Sequence, residues 1–145
     1  MHAMGSYTNW LVVGAAMSAL AAALHLAIII GGGPWYRFFG AGERMARAAE
    51  AGRRYPALVT LGIAGVLFVW AAYALSGAGL LMPLPFLKFA LTAIAAVYMV
   101  RGLVIVPLLL VAADKMTSFA VWSSLMCLAY GIVHVVGLAL LWSRL

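Results

Sequence analysis

The stretch Gly31–Pro56, GGGPWYRFFGAGERMARAAEAGRRYP, decides how this chain is organised. It holds Arg37, Arg44, Arg47, Arg53 and Arg54 of the nine basic residues, and Glu43 and Glu50 of the three acidic ones. Long apolar runs lie on both sides of it. With 145 residues, 68% hydrophobic, 8% charged and a mean hydropathy of +1.14, the chain cannot display enough polar surface for a soluble domain. It reads as all-α, a single transmembrane domain built as an integral membrane four-helix bundle. The spans are expected at about 8–30, 57–76, 86–111 and 117–142, joined first by the connector 31–56, which should carry a short amphipathic helix from Gly42 onward.

The formal charge of +6 lies beside apolar spans rather than in a basic domain with its own core. Membrane lipids with anionic headgroups are therefore the expected partners, and nucleic acid is not. The single Cys127 allows neither an intramolecular disulfide nor a cysteine-rich zinc site. The first span lacks a basic leader and is long for a signal-peptide core, so it reads as a retained helix.

Small residues mark packing faces. In the first span Gly14, Ser18 and Ala22 recur at helical spacing, and His25 falls on the same azimuth, which should turn it into the bundle. Pro56 suits the first turn of the second span, whose Gly62, Gly65, Ala72 and Ser76 suggest a second packing seam. The uncharged turn 76–85 makes the second and third spans an antiparallel hairpin. The fourth span has the most polar face, through Ser123, Cys127, Tyr130, Gly131, His134 and Gly137, and that face should look inward.

Trp35, Tyr36, Phe38 and Phe39 form an interfacial aromatic group after Gly31–Pro34 ends the first helix. Glu43, Arg47, Glu50 and Arg54 follow at spacings of four, three and four, a ladder of opposite charges along a surface helix. Arg37, Arg44, Arg47, Arg53, Arg54 and Lys115 fall on one side of the membrane, and Lys88 and Arg144 on the other. The excess places the connector in the cytoplasm and both termini outside, in a multi-pass membrane protein. Tyr7, Trp10, Phe86 and Trp142 would ring the outer interface, and Trp35, Tyr55 and Trp122 the inner one.

Arg101 is the costliest residue in the chain, because an arginine inside a span must snorkel or find a partner. Tyr98 stands one turn before it, and Pro107 should kink the helix just after it and free a backbone carbonyl. Depth places His25 with Arg101 in the cytoplasmic half, within reach of Glu43 and Glu50. Two readings follow: Arg101 pairs structurally with one of those carboxylates, or it anchors an amphipathic ligand, a lipid headgroup or a quinone, with His25 and Tyr98 as hydrogen-bond partners. Tyr130 and His134 belong to the same set of candidate ligand-binding residues.

Histidines on facing helices also suggest bis-histidine haem. However, the topology separates His25 from His134 by roughly 15 Å in depth at about 1.5 Å per residue, which disfavours one iron between them. No nucleophile with an adjacent base, phosphate loop or metal-ligand cluster is evident, and the cofactor is unknown. The small-residue seams also suit a homo-oligomer or docking to a larger membrane complex.

WYRFFGAGERMARAAEAG, YALSGAG, YMVRGLVIVP and WSSLMCLAYGIVHVVGL together resemble a group of small, uncharacterised bacterial inner-membrane proteins with four spans, a likeness that implies no activity. More distantly, four helices, a basic connector and an arginine in the third span are similar to the membrane-associated glutathione-transferase and eicosanoid-enzyme family. That family's connector motif has the form R-A-x-x-N-x-x-E. Arg47-Ala48 begins it here, but Ala51 stands at the asparagine and Arg54 at the glutamate. The resemblance would imply a trimeric transferase with Arg101 and Arg47 contacting glutathione.

Overall fold

A computed structural model describes residues 9–145; Tyr7 and Thr8, expected at the outer interface and the start of the first span, lie outside them. All regular structure among the described residues is helical. In order the chain forms α1 (Trp10–Gly31), α2 (Gly33–Phe38), α3 (Glu43–Glu50), α4 (Tyr55–Gly77), α5 (Leu87–Leu103), α6 (Ile105–Ala112) and α7 (Ser118–Leu141). α1, α4, the α5–α6 pair and α7 supply four helical stretches long and apolar enough to cross a membrane. α1 packs most extensively on α4 and α5 on α7, and the two pairs join through α1 with α7 and α4 with α5. The fold is thus a closed four-helix membrane bundle, with α2 and α3 as the short helices of the first connector.

Contacts at the two ends set the topology. Phe39 of the connector meets Phe119 of α7 edge to face at 6.1 Å between ring centroids, so the connector and the turn before α7 share one end. At the other end Asn9 Nδ2 donates to Ala78 O at 3.2 Å, and the Lys88 ammonium lies 4.7 Å from the Trp142 ring centroid. Lys88 therefore caps an aromatic face there. Ser76 stitches the 76–85 turn, donating to Met82 O at 2.8 Å and accepting from Leu84 N at 3.0 Å.

The helices approach through small residues, as lipid-embedded helices do where no hydrophobic effect drives them together. A Cβ added at Gly102 would lie 2.6 Å from Leu128 N, and one at Gly131 2.7 Å from Met99 Sδ, so α5 and α7 meet at backbone contact. Gly14, Ser18 and Ala22 of α1 are buried, as their spacing implies. α4 differs from expectation. Its buried face is Pro56, Thr60, Ala64, Leu67, Ala71, Ala74 and Ser76, whereas Gly62 and Gly65 face outward with no atom within 4 Å of an added Cβ. An apolar-all-round helix carries no azimuth signal, so small size alone misplaced the seam.

The connector is more structured than expected. Gly31–Pro34 does not end in irregular chain: only Gly32 breaks the helix, at φ 69°, and Gly33 starts α2 with Pro34 in its first turn. Tyr36 leaves the interfacial aromatic group for the interior. Its hydroxyl donates to Thr60 Oγ1 at 3.0 Å, since that oxygen's own proton goes to Pro56 O at 2.8 Å. Tyr36, Ile28 and Ala46 form a small second core that holds α3 down by its apolar face. The third span breaks between α5 and α6 at Val104, three residues before Pro107, whose missing N–H leaves Leu103 O without its helical donor.

Candidate functional site

Three polar groupings emerge, and they are not the one the sequence suggests. The first is at the centre of the bundle. Tyr98 of α5 shares a 2.8 Å hydrogen bond with Ser18 of α1, and its ring meets Trp70 of α4 at 5.0 Å and Tyr130 and His134 of α7 at 5.4 and 5.1 Å between centroids. All four spans contribute. His134, 1% exposed, points inward as expected; its Nδ1–H donates to Tyr130 O at 2.7 Å, one turn earlier, which leaves Nε2 as a buried acceptor without a partner among the described residues. The ring lies on Gly14, where an added Cβ would come within 2.9 Å of Cε1.

His25 does not join this centre. It is half-buried, with Nδ1 2.7 Å from Ala21 O. Because His134 stands over Gly14, eleven residues from His25 on the same helix, the two imidazoles are separated by about 16 Å along the bundle at ~1.5 Å per residue. The described residues contain no cluster of three His, Cys, Asp or Glu side chains placed to hold a metal.

The second grouping surrounds Arg101. Tyr98 and Arg101 are three residues apart on neighbouring azimuths of α5; Tyr98 is buried in the core, whereas Arg101 is exposed at the rim. Arg101 donates to Ser124 Oγ at 3.0 Å and to Ser123 Oγ at 3.4 Å. Ser123 directs its own proton to Ala120 O at 3.1 Å, so its oxygen is free to accept. The expected pairing of Arg101 with Glu43 or Glu50 does not form, nor does a hydrogen bond join it to His25 or Tyr98 among the described residues.

The third grouping explains why. Arg37, not singled out by any helical spacing, takes both connector carboxylates: Nε and Nη2 donate to Glu43 at 2.8 and 2.9 Å, and Nη1 and Nη2 to Glu50. Arg47 Nε adds 2.9 Å to Glu43. Of the expected ladder, Glu43–Arg47 is the one ion pair formed among the described residues: Glu50 pairs with Arg37 instead of Arg47, and α3 ends at Glu50, before the turn through Gly52 at φ 72° and Arg54. The hydrogen bonds from Arg37 and then Arg47 hold the Glu43 carboxyl down at about 2, and those from Arg37 hold Glu50 below the usual carboxylate range. Arg37 is raised in turn by the same two partners.

Beside this clamp runs an open groove of ≈ 730 Å³ lined by Glu43, Arg44, Arg47, Ala48, Ala51, Arg53 and Tyr55. The residues that spacing arguments missed, Arg37, Ser124 and Trp70, act across elements. Ser124 sits next to Ser123 on the polar face of α7 and was the nearest to being found. No protein-family model, curated protein or solved structure matches the chain, so the likenesses to four-span bacterial proteins and to glutathione transferases rest on the sequence motifs alone.

Proposed function

We propose that this is a small binding or accessory protein of a bacterial inner membrane, with the connector in the cytoplasm and both termini outside, that holds an anionic amphiphile by its head at Arg101. The observation that carries this reading is that Arg101, inside the third span, is met among the described residues only by the neutral hydroxyls of Ser124 and Ser123. Both connector carboxylates are taken by Arg37 and Arg47. A guanidinium without a counter-charge at membrane depth favours an anion over a neutral quinone carbonyl, because only an anion offsets the cost of holding the charge there. The exposed Val100, Val104 and Leu108, four residues apart, offer an apolar strip for a chain beside the head.

Native mass spectrometry of gently extracted protein tests this. An anionic phospholipid should be retained by wild type, weakened in Arg101→Lys and absent from Arg101→Leu. An unchanged lipid complement in Arg101→Leu, with stability at least equal to wild type, would overturn the reading. Retention of a quinone, a Soret absorption band, or thiol-dependent conjugation of a hydrophobic electrophile would replace it with quinone binding, haem binding or transferase activity respectively.

A further inference from the structure

The groove on the connector is a second, separate feature, and its construction argues for a particular headgroup. Arg44, Arg47 and Ala48 of α3 and Ala51 at its C-cap fall at positions i, i+3, i+4 and i+7, one side of the helix. The opposite face is tied down: Ala46 is fully buried, and Met45 and Ala49 pack against the small core of Ile28 and Tyr36. The basic face is therefore held outward. After α3 the turn at Gly52, with Arg53 N bonded to Ala48 O at 3.0 Å, brings Arg53 back beside Ala48 and Ala51. Ala48 and Ala51 line the groove together with the three arginines and Glu43, and Tyr55, 53% exposed at the start of α4, adds a phenol able to donate.

Charge completes the argument. Glu43 and Glu50 are spent on Arg37 and Arg47. Arg44 and Arg53 have no carboxylate partner among the described residues, so the groove presents two uncompensated guanidiniums plus Arg47, which Glu43 offsets. A single phosphodiester would neutralise only one of the two. The Arg37 clamp fixes α3 relative to α2, which a single residue separates from the end of α1, and Tyr55 begins the second span, so the groove adjoins the ends of two membrane-crossing helices. We propose that this groove binds a headgroup carrying two phosphates, presented by a membrane lipid, with Arg44 and Arg53 each taking one phosphate and Tyr55 donating to the nearer.

The test uses the full chain in phosphatidylcholine nanodiscs doped with cardiolipin or, at equal phosphate charge, phosphatidylglycerol, with lipid retention read by native mass spectrometry. Wild type should retain cardiolipin in preference to phosphatidylglycerol, and the Arg44→Gln/Arg53→Gln double variant should lose about 10-fold of that preference, given the contribution of each juxtamembrane arginine. Arg54→Gln, outside the groove, and Arg101→Leu should both keep it, which separates this site from the one proposed at Arg101. Both substituted side chains are on the surface, and an unchanged melting temperature of the double variant shows that folding is intact. Equal retention of the two lipids, or a preference that survives the double substitution, overturns the proposal. Displacement of cardiolipin by millimolar inorganic pyrophosphate would assign the groove to a soluble diphosphate and overturn its lipid source.

Discussion

The two best-connected polar groups in the molecule are built by opposite means. At the bundle centre, Ser18, Trp70, Tyr98, Tyr130 and His134 come from four spans, include no Asp, Glu, Lys or Arg, and meet by single hydrogen bonds and ring contacts. On the connector, Arg37, Glu43, Arg47 and Glu50 lie within fourteen consecutive positions, are fully charged, and meet by multiple ion pairs. The contrast follows from solvent. A charge in hydrocarbon must recover its whole hydration cost from a partner, whereas neutral groups need only one bond each, so the core avoids ions and the connector uses them. Arg101 is the exception, and it stands at the rim.

The comparison breaks most severely where the spans touch by backbone. Gly102→Leu places a branched side chain against Leu128 N, 2.6 Å from an added Cβ, and should separate α5 from α7. Loss of the folded protein in detergent, seen as early aggregation on size exclusion, is the expected result; Gly102→Ala should cost about 1–3 kcal/mol by overpacking. Next in size is the aromatic centre. Tyr98→Ala removes a ring shared by four spans and should cost about 3–5 kcal/mol, while Tyr98→Phe removes only the bond to Ser18, ~0.6 kcal/mol in a membrane bundle. If thermal unfolding gave equal losses for the two, the hydroxyl rather than packing would organise the core.

The connector should respond to acid and the core should not. Glu43 is lowered from 4.5 to about 2 and Glu50 is lowered as well, so their contribution is complete above about pH 4.5 and is lost as pH falls through the folded values. Proteolysis within 39–54 should therefore accelerate below pH 4 in wild type while the spans stay intact, and Arg37→Gln should show fast cleavage already at pH 7. The smallest effect belongs to α4. Gly62→Ala and Gly65→Ala meet no neighbour and improve helix propensity, so a melting temperature equal to or slightly above wild type is expected. A clear drop in either would mean that this outward face packs against another chain.

The legibility of each part tracks the kind of signal it leaves. The Gly14, Ser18 and Ala22 stripe and the inward face of α7 with Gly131, His134 and Gly137 were readable because small and polar residues recur there at helical spacing among large apolar ones. α2 was hidden by the run Gly31–Gly33 at its start, of which only Gly32 takes a positive φ. The candidate site was legible as a set of residue types but not as a set of neighbours. Arg37 reaches Glu43 and Glu50 at sequence offsets of six and thirteen, which no single helix pattern encodes.

Composition and spacing by themselves determined the four apolar spans, the charged connector with its short helix, and which face of α7 turns inward, because each is written as hydropathy or period along one element. Only the tertiary structure decided that Tyr98 belongs to Ser18, that Arg37 and not Arg101 takes the carboxylates, and that Gly62 and Gly65 look outward. In lipid both faces of a span are apolar, so the rotation of a helix such as α4 leaves no mark in its hydropathy and is set by the fit of its neighbours.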